Sequence, residues 1–306
     1  MPTRREFLSG LAVGGASTIL GGGLSGRLLA AGAEEEPPGY IALLADTHVD
    51  ADPLAEAGKP NKFNMSKNLN AVVADVLKQP GLPKAAVVVG DLAHSVGTAA
   101  DYERFLSLIR PLREFGVPVH LAMGNHDDRD HFLDVLKPEK DGPDAVESRY
   151  VGAAEAAGLR LVVLDSLETP RQVGGRLHEP QLAWLAKTLD AQPRTPTLVM
   201  VHHNPALKQE DAPHCLADAE ALLAVLRPRA QVKALVFGHT HTWSLRGDAG
   251  LHLVNLPAVG YPFAAEQPIG WCRLEPRTDG ATIELRRIDG GPENTPGRVD
   301  LKWRAG

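Results

Sequence analysis

The chain has 306 residues, of which 43% are hydrophobic, and this is enough apolar material for one large domain. Its formal net charge of −6, without a long basic run, argues against binding through phosphate neutralisation, so no nucleic-acid partner is expected. Two cysteines, Cys215 and Cys272, exclude a disulfide scaffold and a cysteine-rich zinc site. They could form one disulfide bridge or remain two buried thiols.

The first 33 residues carry the pattern of an export signal. The twin-arginine motif Thr3-Arg4-Arg5-Glu6-Phe7-Leu8 precedes an apolar, glycine-rich run that ends in the small residues Ala31-Gly32-Ala33. This order predicts a twin-arginine signal peptide over residues 1–33 and an acidic spacer over residues 34–39. The twin-arginine export machinery is then a partner, and the mature protein is expected to be periplasmic or secreted.

The alternative for this N-terminus is a disordered or membrane-tethering segment. Arg27 and many glycines interrupt the apolar run, which makes it a weak transmembrane helix. We therefore expect no stable membrane span in the mature form.

From residue 40 onward, continuous apolar runs alternate with segments of helical period. Runs that are apolar on both faces are typical of strands in a sheet that is covered on both sides. They predict strands near residues 40–46, 85–91, 117–123, 159–164, 197–203 and 232–238. Helices are predicted near residues 66–78, 101–115, 130–136, 179–190 and 219–226. This alternation favours an α/β fold in one domain over residues 40–290, followed by a loosely held C-terminal tail, 291–306.

Five of the predicted strands are followed by residues that can bind metals. In chain order these are Asp46 and His48, Asp91, Asn125 and His126, His202 and His203, and His239 and His241. Each group alone has an ordinary explanation, as a helix cap or a hydrogen-bonded residue at the edge of the core. Because the carboxyl ends of strands in α/β sheets converge on one crevice, the five groups together predict a metal centre.

The number and type of these side chains favour two ions. An inner set of seven side chains exceeds the four ligands of a tetrahedral zinc site. A dinuclear centre with a bridging carboxylate accommodates them, with its ions about 3.5–4 Å apart. Mixed imidazole and carboxylate donors favour Fe, Mn or Zn over Mg or Ca.

The same residues carry a resemblance to a known family. The five blocks are Asp46-x-His48, Gly90-Asp91, Gly124-Asn125-His126-Asp127, His202-His203 and Gly238-His239-Thr240-His241. In this order they resemble the signature of the calcineurin-like metallophosphoesterases, over about residues 40–265. The resemblance implies a four-layer α-β-β-α sandwich and a metal-dependent phosphoric ester hydrolase.

The resemblance also implies a role for each matching residue. The first metal would be held by Asp46, His48 and His241, and Asp91 would bridge the two ions. The second metal would be held by Asn125, His202 and His239. The catalytic residue His126 would contact the phosphate and assist the leaving oxygen.

Residues around the blocks are similar to one subgroup of the family. Gly124 to Arg129, and Asp101-Tyr102 ten residues after Asp91, resemble enzymes that act on cyclic nucleotides and glycerophosphodiesters. The pair Asn204-Pro205 departs from the Pro-Pro that this subgroup carries after its paired histidines. His94 stands where purple acid phosphatases carry a tyrosine, so no tyrosinate colour is expected.

Three further residues near the blocks have open roles. His94 could bind substrate phosphate or cap a loop, and His203 is expected to support the site rather than bind metal. Arg129 could reach a substrate anion, but a pair with Asp128 or Asp130 is the preferred expectation.

Taken together, these features predict an exported dinuclear-metal phosphoesterase. Its small-molecule substrate would be a phosphodiester, of the cyclic nucleotide or glycerophosphodiester type, or a phosphomonoester, attacked by metal-bound hydroxide. The alternative is a non-catalytic phosphate- or partner-binding module on the same fold. The substrate itself depends on loops whose shape the sequence leaves open; Tyr261 or Phe263 could stack on a base or pack in the core.

Overall fold

The computed structural model of the protein describes residues 39–58, 61–137, 146–206, 213–290 and 297–305. The predicted signal peptide and residues 34–38 of the spacer lie outside these ranges. The helices are α1 (Met65–Lys78), α2 (Ala99–Glu114), α3 (Arg129–Leu136), α4 (His178–Asp190) and α5 (Ala219–Leu226). None of the helices in the described ranges has the length and apolarity needed to cross a membrane.

The described residues contain fourteen strands, six of which follow the apolar runs named above. They are β1 (Ile41–Leu44), β2 (Glu56–Ala57), β3 (Phe63–Asn64), β4 (Ala85–Val89), β5 (Val119–Ala122), β6 (Gly152–Ala156), β7 (Leu159–Val163), β8 (Thr197–Met200), β9 (Val232–Phe237), β10 (Ser244–Asp248), β11 (Leu251–Asn255), β12 (Gly270–Arg277), β13 (Gly280–Arg287) and β14 (Arg298–Lys302). Neither the short β2–β3 hairpin nor β14 was predicted.

Two six-stranded sheets contain all of these strands except the β2–β3 hairpin. The first sheet has the order β14-β13-β12-β1-β4-β5, and the second has the order β10-β11-β9-β8-β7-β6. The strands β1, β4 and β5 run parallel, as do β7, β8, β9 and β11. Their carboxyl ends therefore open on a common edge of each sheet, where function gathers in α/β folds.

Strand β1 shows why the first sheet is apolar on both faces. Ala42 and Leu44 lie in a cluster with residues of α1 and α2, whereas Ile41 and Leu43 lie in the cluster between the two sheets. All four residues are fully buried. Alternate residues of a strand point to opposite faces, so a strand that is covered on both sides is apolar throughout.

Strand β8 repeats the arrangement in the second sheet. Leu198 and Met200 belong to the cluster between the sheets, and Val199 and Val201 belong to a third cluster with α4 and α5. Three apolar cores thus separate four layers in the order α-β-β-α. The predicted sandwich is confirmed.

The last described residues are held more firmly than expected. Strand β14 pairs antiparallel with β13, and Leu301 is buried against the core between the sheets. The guanidinium of Arg304 donates to backbone carbonyls at and after the end of α5, those of Leu226, Arg227, Arg229 and Val232. The expectation of a loosely held tail is wrong for these residues, because strand pairing and helix capping fix them; residues 291–296 lie outside the described part.

Both cysteines are buried thiols outside any disulfide bridge. Cys272 lies in the core between the sheets, where burial raises the pKa of its thiol well above the ordinary value. Cys215 is 5% exposed and lies outside that core cluster. Of the two expectations, buried thiols rather than a bridge are confirmed.

Candidate metal centre

The residues that follow five strands meet where the carboxyl ends of the strands of the two sheets lie side by side. The loops after β1, β4 and β5 of the first sheet carry Asp46, His48, Asp91 and Asn125. The loops after β8 and β9 of the second sheet carry His202, His203, His239 and His241. Ligand atoms from these loops form overlapping groups of three, within each of which the atoms lie within 4.8 Å of one another.

Asp46, His48 and His241 form the first group. The Nε2 atoms of His48 and His241 are 3.0 Å apart, and His241 Nε2 is 3.4 Å from Asp46 Oδ1. Metal–imidazole bonds of about 2.1 Å at a right angle would set two nitrogens about 3.0 Å apart. The spacing of this group fits one cation.

His202, His203 and His239 form the second group. The ring centroids of His202 and His239 are 5.1 Å apart, and those of His203 and His239 are 4.7 Å apart. His203 Nδ1 lies 2.7 Å from the hydroxyl of Ser166, which orients the imidazole. The Oδ1 atom of Asn125 is buried and has no hydrogen-bond partner among the described residues.

Asp91 lies between the two groups. Its Oδ2 atom is 3.6 Å from His48 Nε2 and 3.4 Å from His202 Nε2. Its other oxygen, Oδ1, accepts a hydrogen bond of 2.8 Å from the backbone N–H of His126. One carboxylate oxygen is therefore fixed by the backbone, and the other faces both groups.

The loops hold several of these residues in an unusual backbone conformation. The φ angles are positive at Asp46 (54°), His48 (46°), Asp91 (48°), His239 (69°) and His241 (50°). Residues other than glycine adopt this left-handed region rarely, at a cost of roughly 1–3 kcal/mol each, and such strain clusters at functional sites. The fold stabilises a geometry that these loops would not adopt alone.

Two glycines permit the close approach of the loops. A Cβ atom on Gly124 would lie 2.2 Å from Asp91 Oδ1, and one on Gly90, at φ 78°, would lie 2.4 Å from His202 Nδ1. Neither contact is possible for a side chain. The glycines in these sequence blocks are thus required by the neighbouring side chains of the site.

Hydrogen bonds to backbone carbonyls determine which imidazole nitrogen faces the centre. Nδ1 of His202 donates to the carbonyl of Val89 at 3.0 Å, and Nδ1 of His241 donates to the carbonyl of Tyr261 at 2.5 Å. Because a carbonyl can only accept, each Nε2 is left as the potential metal ligand.

Most of the imidazoles at the centre are held neutral. Burial lowers the pKa of His48 to about 3 and that of His239 to about 4, and it lowers the pKa of His203 well below the ordinary value. His202 differs: burial lowers its pKa, but the charge and hydrogen bond of Asp91, together with the charge of Asp46 and the Val89 carbonyl, raise it to about 9. A cation beside Asp91 would take the place of that proton, because metal ligands bind in their deprotonated form.

The two carboxylates are held ionised. Burial alone would raise their pKa values, but the His241 imidazole lowers the pKa of Asp46, and the His202 imidazole lowers that of Asp91 further. Neutral imidazoles and ionised carboxylates form a donor set that suits divalent transition metals.

The sequence profile described as Calcineurin-like phosphoesterase matches residues 39–243. The chain belongs to this family. Its sequence is 31% identical over 247 residues to a probable cyclic nucleotide phosphodiesterase of Synechococcus sp., covering 79% of this chain and 89% of that protein. It is 28% identical over 265 residues to the 3',5'-cyclic adenosine monophosphate phosphodiesterase CpdA of Vibrio vulnificus, covering 81% and 89%.

A solved structure, a dimetal phosphatase from Danio rerio, has the same fold as this phosphoesterase. The TM-score is 0.69 at 17% identity, and the match covers 88% of this chain and 100% of the other. Because the chain belongs to a family of phosphoesterases and its relatives are phosphodiesterases, it is a metal-dependent hydrolase of phosphoric esters.

Asp127 of this phosphoesterase holds the ligand loops together. It is fully buried and accepts hydrogen bonds from the backbone N–H groups of Leu92, Ala93 and Gly124, and from the hydroxyl of Tyr102. Burial raises its pKa to about 7, with a further contribution from the charge of Asp91. Asp127, the acidic residue of its sequence block, thus connects two loops. The pair Asp101-Tyr102, noted in the sequence, was the one sequence feature that pointed to this contact.

Arg129 has a partner that the sequence did not indicate. Its guanidinium donates to both carboxylate oxygens of Asp165, at 2.9 and 3.1 Å, and to the carbonyl of Leu167. The expected pair with Asp128 or Asp130 is wrong, because the side chain points toward the end of β7 instead.

His94 and His126 both lie near His48. Nδ1 of His94 is 3.0 Å from Asp50 Oδ2, which fits the loop-holding alternative. The His126 ring centroid is 5.0 Å from that of His48, and its Nδ1 is 3.0 Å from the carbonyl oxygen of Ser95.

A cavity of about 550 Å³ opens beside the second group. Its described lining includes Asp91, Asn125, His126, Val173, Asn204, His214, Cys215, His239, Thr240, His241 and Phe263. The volume is in the range of small-molecule binding sites. The phosphoesterase thus has room for a substrate directly against the potential ligands and His126.

Proposed function

We propose that this chain is an exported phosphodiesterase with two metal ions, acting on phosphodiesters of the cyclic nucleotide type. One observation carries the dinuclear part: Asp91 Oδ2 lies 3.6 and 3.4 Å from the inward nitrogens of His48 and His202, which belong to different groups. A carboxylate oxygen in that position can bridge two ions.

The residues fit such a centre. The first ion would be held by Asp46, His48, Asp91 and His241, and the second by Asp91, Asn125, His202 and His239. The buried Oδ1 of Asn125 has no hydrogen-bond partner among the described residues, which costs about 1–3 kcal/mol unless a cation satisfies it. Imidazole, carboxylate and amide donors together suit Fe, Mn or Zn.

When bound, ions of this kind polarise the phosphoryl oxygens and lower the pKa of a water nucleophile. The contribution of the chain itself is to position the leaving group. The backbone N–H of His126 is held by Asp91, and Nδ1 of its ring donates to the carbonyl of Ser95. In its protonated form the imidazole then has Nε2–H free to donate to the leaving oxygen, as general acid.

The cyclic nucleotide class is supported by the relatives of this chain. The proteins from Synechococcus and Vibrio vulnificus, which match most of its length, are named for activity on cyclic nucleotides. A glycerophosphodiester has the same reacting group, so the two substrates must be compared directly.

The test is a substrate panel on the purified, metal-loaded chain. We expect turnover of 3',5'-cyclic adenosine monophosphate and of bis(4-nitrophenyl) phosphate, slower turnover of glycerophosphocholine, and about two metal ions per chain by elemental analysis. Asp91→Ala should abolish turnover and lower the metal content, because its carboxylate serves both ions. Absence of turnover on every phosphoester with two ions bound would favour a non-catalytic binding module instead.

Export is a separate part of the proposal and depends on residues 1–33 alone. Fusion of residues 1–38 to a fluorescent reporter should send the reporter to the periplasm of a twin-arginine-competent bacterium. Arg4→Lys with Arg5→Lys should retain it in the cytoplasm, because the paired arginines are the recognised feature. Equal distribution of the two fusions would refute twin-arginine export.

A further inference from the structure

The lining of the cavity at the metal centre includes exposed apolar residues. In the described part of the chain, four large hydrophobic residues are exposed: Leu54, Val96, Val173 and Phe263. Two of them, Val173 (46% exposed) and Phe263 (61%), line the cavity beside the potential ligands, and the other two do not. Large aromatic side chains are ordinarily buried, and an exposed one inside a cavity indicates a binding surface.

Phe263 is held in a defined orientation. Its ring stacks on the imidazole of His241 with centroids 3.8 Å apart and planes at 7°. Tyr261 packs edge-on against both rings, with centroids 4.9 Å from His241 and 6.0 Å from Phe263. The carbonyl of Tyr261 also accepts from His241 Nδ1, so backbone and rings fix one another.

This arrangement leaves one face of the Phe263 ring for a ligand. One face is covered by His241, whereas the residue as a whole is 61% exposed and belongs to the lining of the cavity. A flat, pre-oriented ring binds another flat ring well because neither loses much conformational freedom. Val173, from a separate loop, adds apolar surface to the lining of the same cavity.

We propose that Phe263, together with Val173, determines specificity by stacking on a planar aromatic ring of the substrate. The ring is a nucleobase or an aryl group, attached to the phosphoester whose phosphorus is held at the metal centre and His126. The inference rests on the proposed function, because the phosphate position sets where the ring lies. The cavity of about 550 Å³ is large enough for a nucleotide-sized ligand.

The first experiment measures KM and kcat on three substrates. They are 3',5'-cyclic adenosine monophosphate, bis(4-nitrophenyl) phosphate and the ring-free glycerophosphocholine. Base–aromatic stacking predicts that Phe263→Ala raises KM about 10-fold for ring-bearing substrates and less than about twofold for glycerophosphocholine. Phe263→Tyr should restore the wild-type KM, and Leu54→Ala, an exposed residue outside the cavity, should behave as wild type.

The pattern among substrates decides the outcome. A rise in KM for the cyclic nucleotide alone supports a nucleobase, and a rise for both ring-bearing substrates supports any aryl group. A uniform loss of kcat on all three substrates overturns the proposal, because Phe263 would then act only by packing on His241. Metal content is measured for each variant, and loss of metal in Phe263→Ala would likewise overturn it.

The second experiment needs no turnover. Titration calorimetry compares adenosine 5'-monophosphate with ribose 5-phosphate on the metal-loaded chain. Wild type should bind the nucleotide about 10-fold more tightly, and Phe263→Ala should remove that preference. If wild type turns over substrates but shows no preference, the stacking proposal fails and the proposed function stands. If the preference exists without any turnover, the proposed function fails and the stacking proposal stands.

Discussion

The loops that carry the potential metal ligands and the two exposed side chains that line the cavity, Val173 and Phe263, differ in their burial and hydrogen bonding. In the loops, Asp127 alone accepts four hydrogen bonds, and several residues are kept at positive φ. The two cavity residues Val173 and Phe263 are instead 46% and 61% exposed. Reactive groups are thus positioned by folding itself, whereas substrate choice depends on side chains that can change without unfolding the protein.

The largest effect is expected from adding one methyl group to a loop that carries potential metal ligands. Gly124→Ala brings a Cβ within 2.2 Å of Asp91 Oδ1, so the carboxylate or the loop must move. We expect kcat to fall by about 100-fold or more, since displacements near 1 Å have effects of that size. Steady-state kinetics on a metal-saturated sample measures this.

Gly247→Ala is the matched control for that change. Gly247 lies in β10, and a Cβ there would meet nothing within 4 Å. It should retain wild-type kcat. Equal activity of the two alanine variants would show that the ligand loops are more adaptable than their contacts indicate.

A second test removes the buried ion pair between Arg129 and Asp165. Arg129→Ala leaves the fully buried Asp165 without its guanidinium partner. Breaking a buried ion pair destabilises by about 3–5 kcal/mol, so we expect a loss of about 3 kcal/mol in the free energy of unfolding, measured by urea denaturation. Arg298→Ala, whose 63%-exposed side chain pairs with Glu275 at 3.5 Å, should cost less than about 1 kcal/mol.

A smaller effect is expected from removing the hydroxyl of Tyr102. This hydroxyl donates to Asp127 Oδ1 and accepts from the backbone N–H of Asp128. Tyr102→Phe should lower the free energy of unfolding by about 1–2 kcal/mol, because the buried Asp127 carboxylate and the partly buried N–H of Asp128 each lose a partner. An unchanged urea midpoint would mean that Asp127 does not depend on this contact.

The smallest effect is expected at the exposed lining of the cavity. Val173 is 46% exposed, and substitutions at such positions usually change stability by less than about 0.5 kcal/mol. Val173→Ala should therefore leave the urea midpoint unchanged while raising KM for ring-bearing substrates about threefold. A loss of stability without a change in KM would place Val173 with the structural residues.

The sequence predicted the elements that have a local signature. The runs that form β1, β4, β8 and β9 are apolar on both faces, and the potential ligands follow them directly, so their meeting point could be inferred. Partners that are distant in the chain could not be inferred. Arg129 pairs with Asp165, 36 residues away, and no local pattern marks either as half of a pair. The strand β14 was missed for the same reason, since its partner β13 gives it order.

Asp127 illustrates a different limit. Its residue type and its place in the motif are those of a catalytic acid, and only the donors around it reveal a connecting role. Three of the four donors are backbone N–H groups, which every residue except proline has, so the sequence carries no trace of them. Only the fourth donor, the hydroxyl of Tyr102, has a residue type that the sequence shows.

The C-terminal residues bear on the order in which the protein can be assembled. Strand β14 forms the edge of the first sheet. Arg304 donates to backbone carbonyls at and after the end of α5, which packs on the second sheet, and the most distant of these is 78 positions earlier in the chain. These contacts cannot form until residues 298–304 have left the ribosome. All of the potential metal ligands precede them, so a nascent chain would present its metal-binding groups before the sandwich is closed around them.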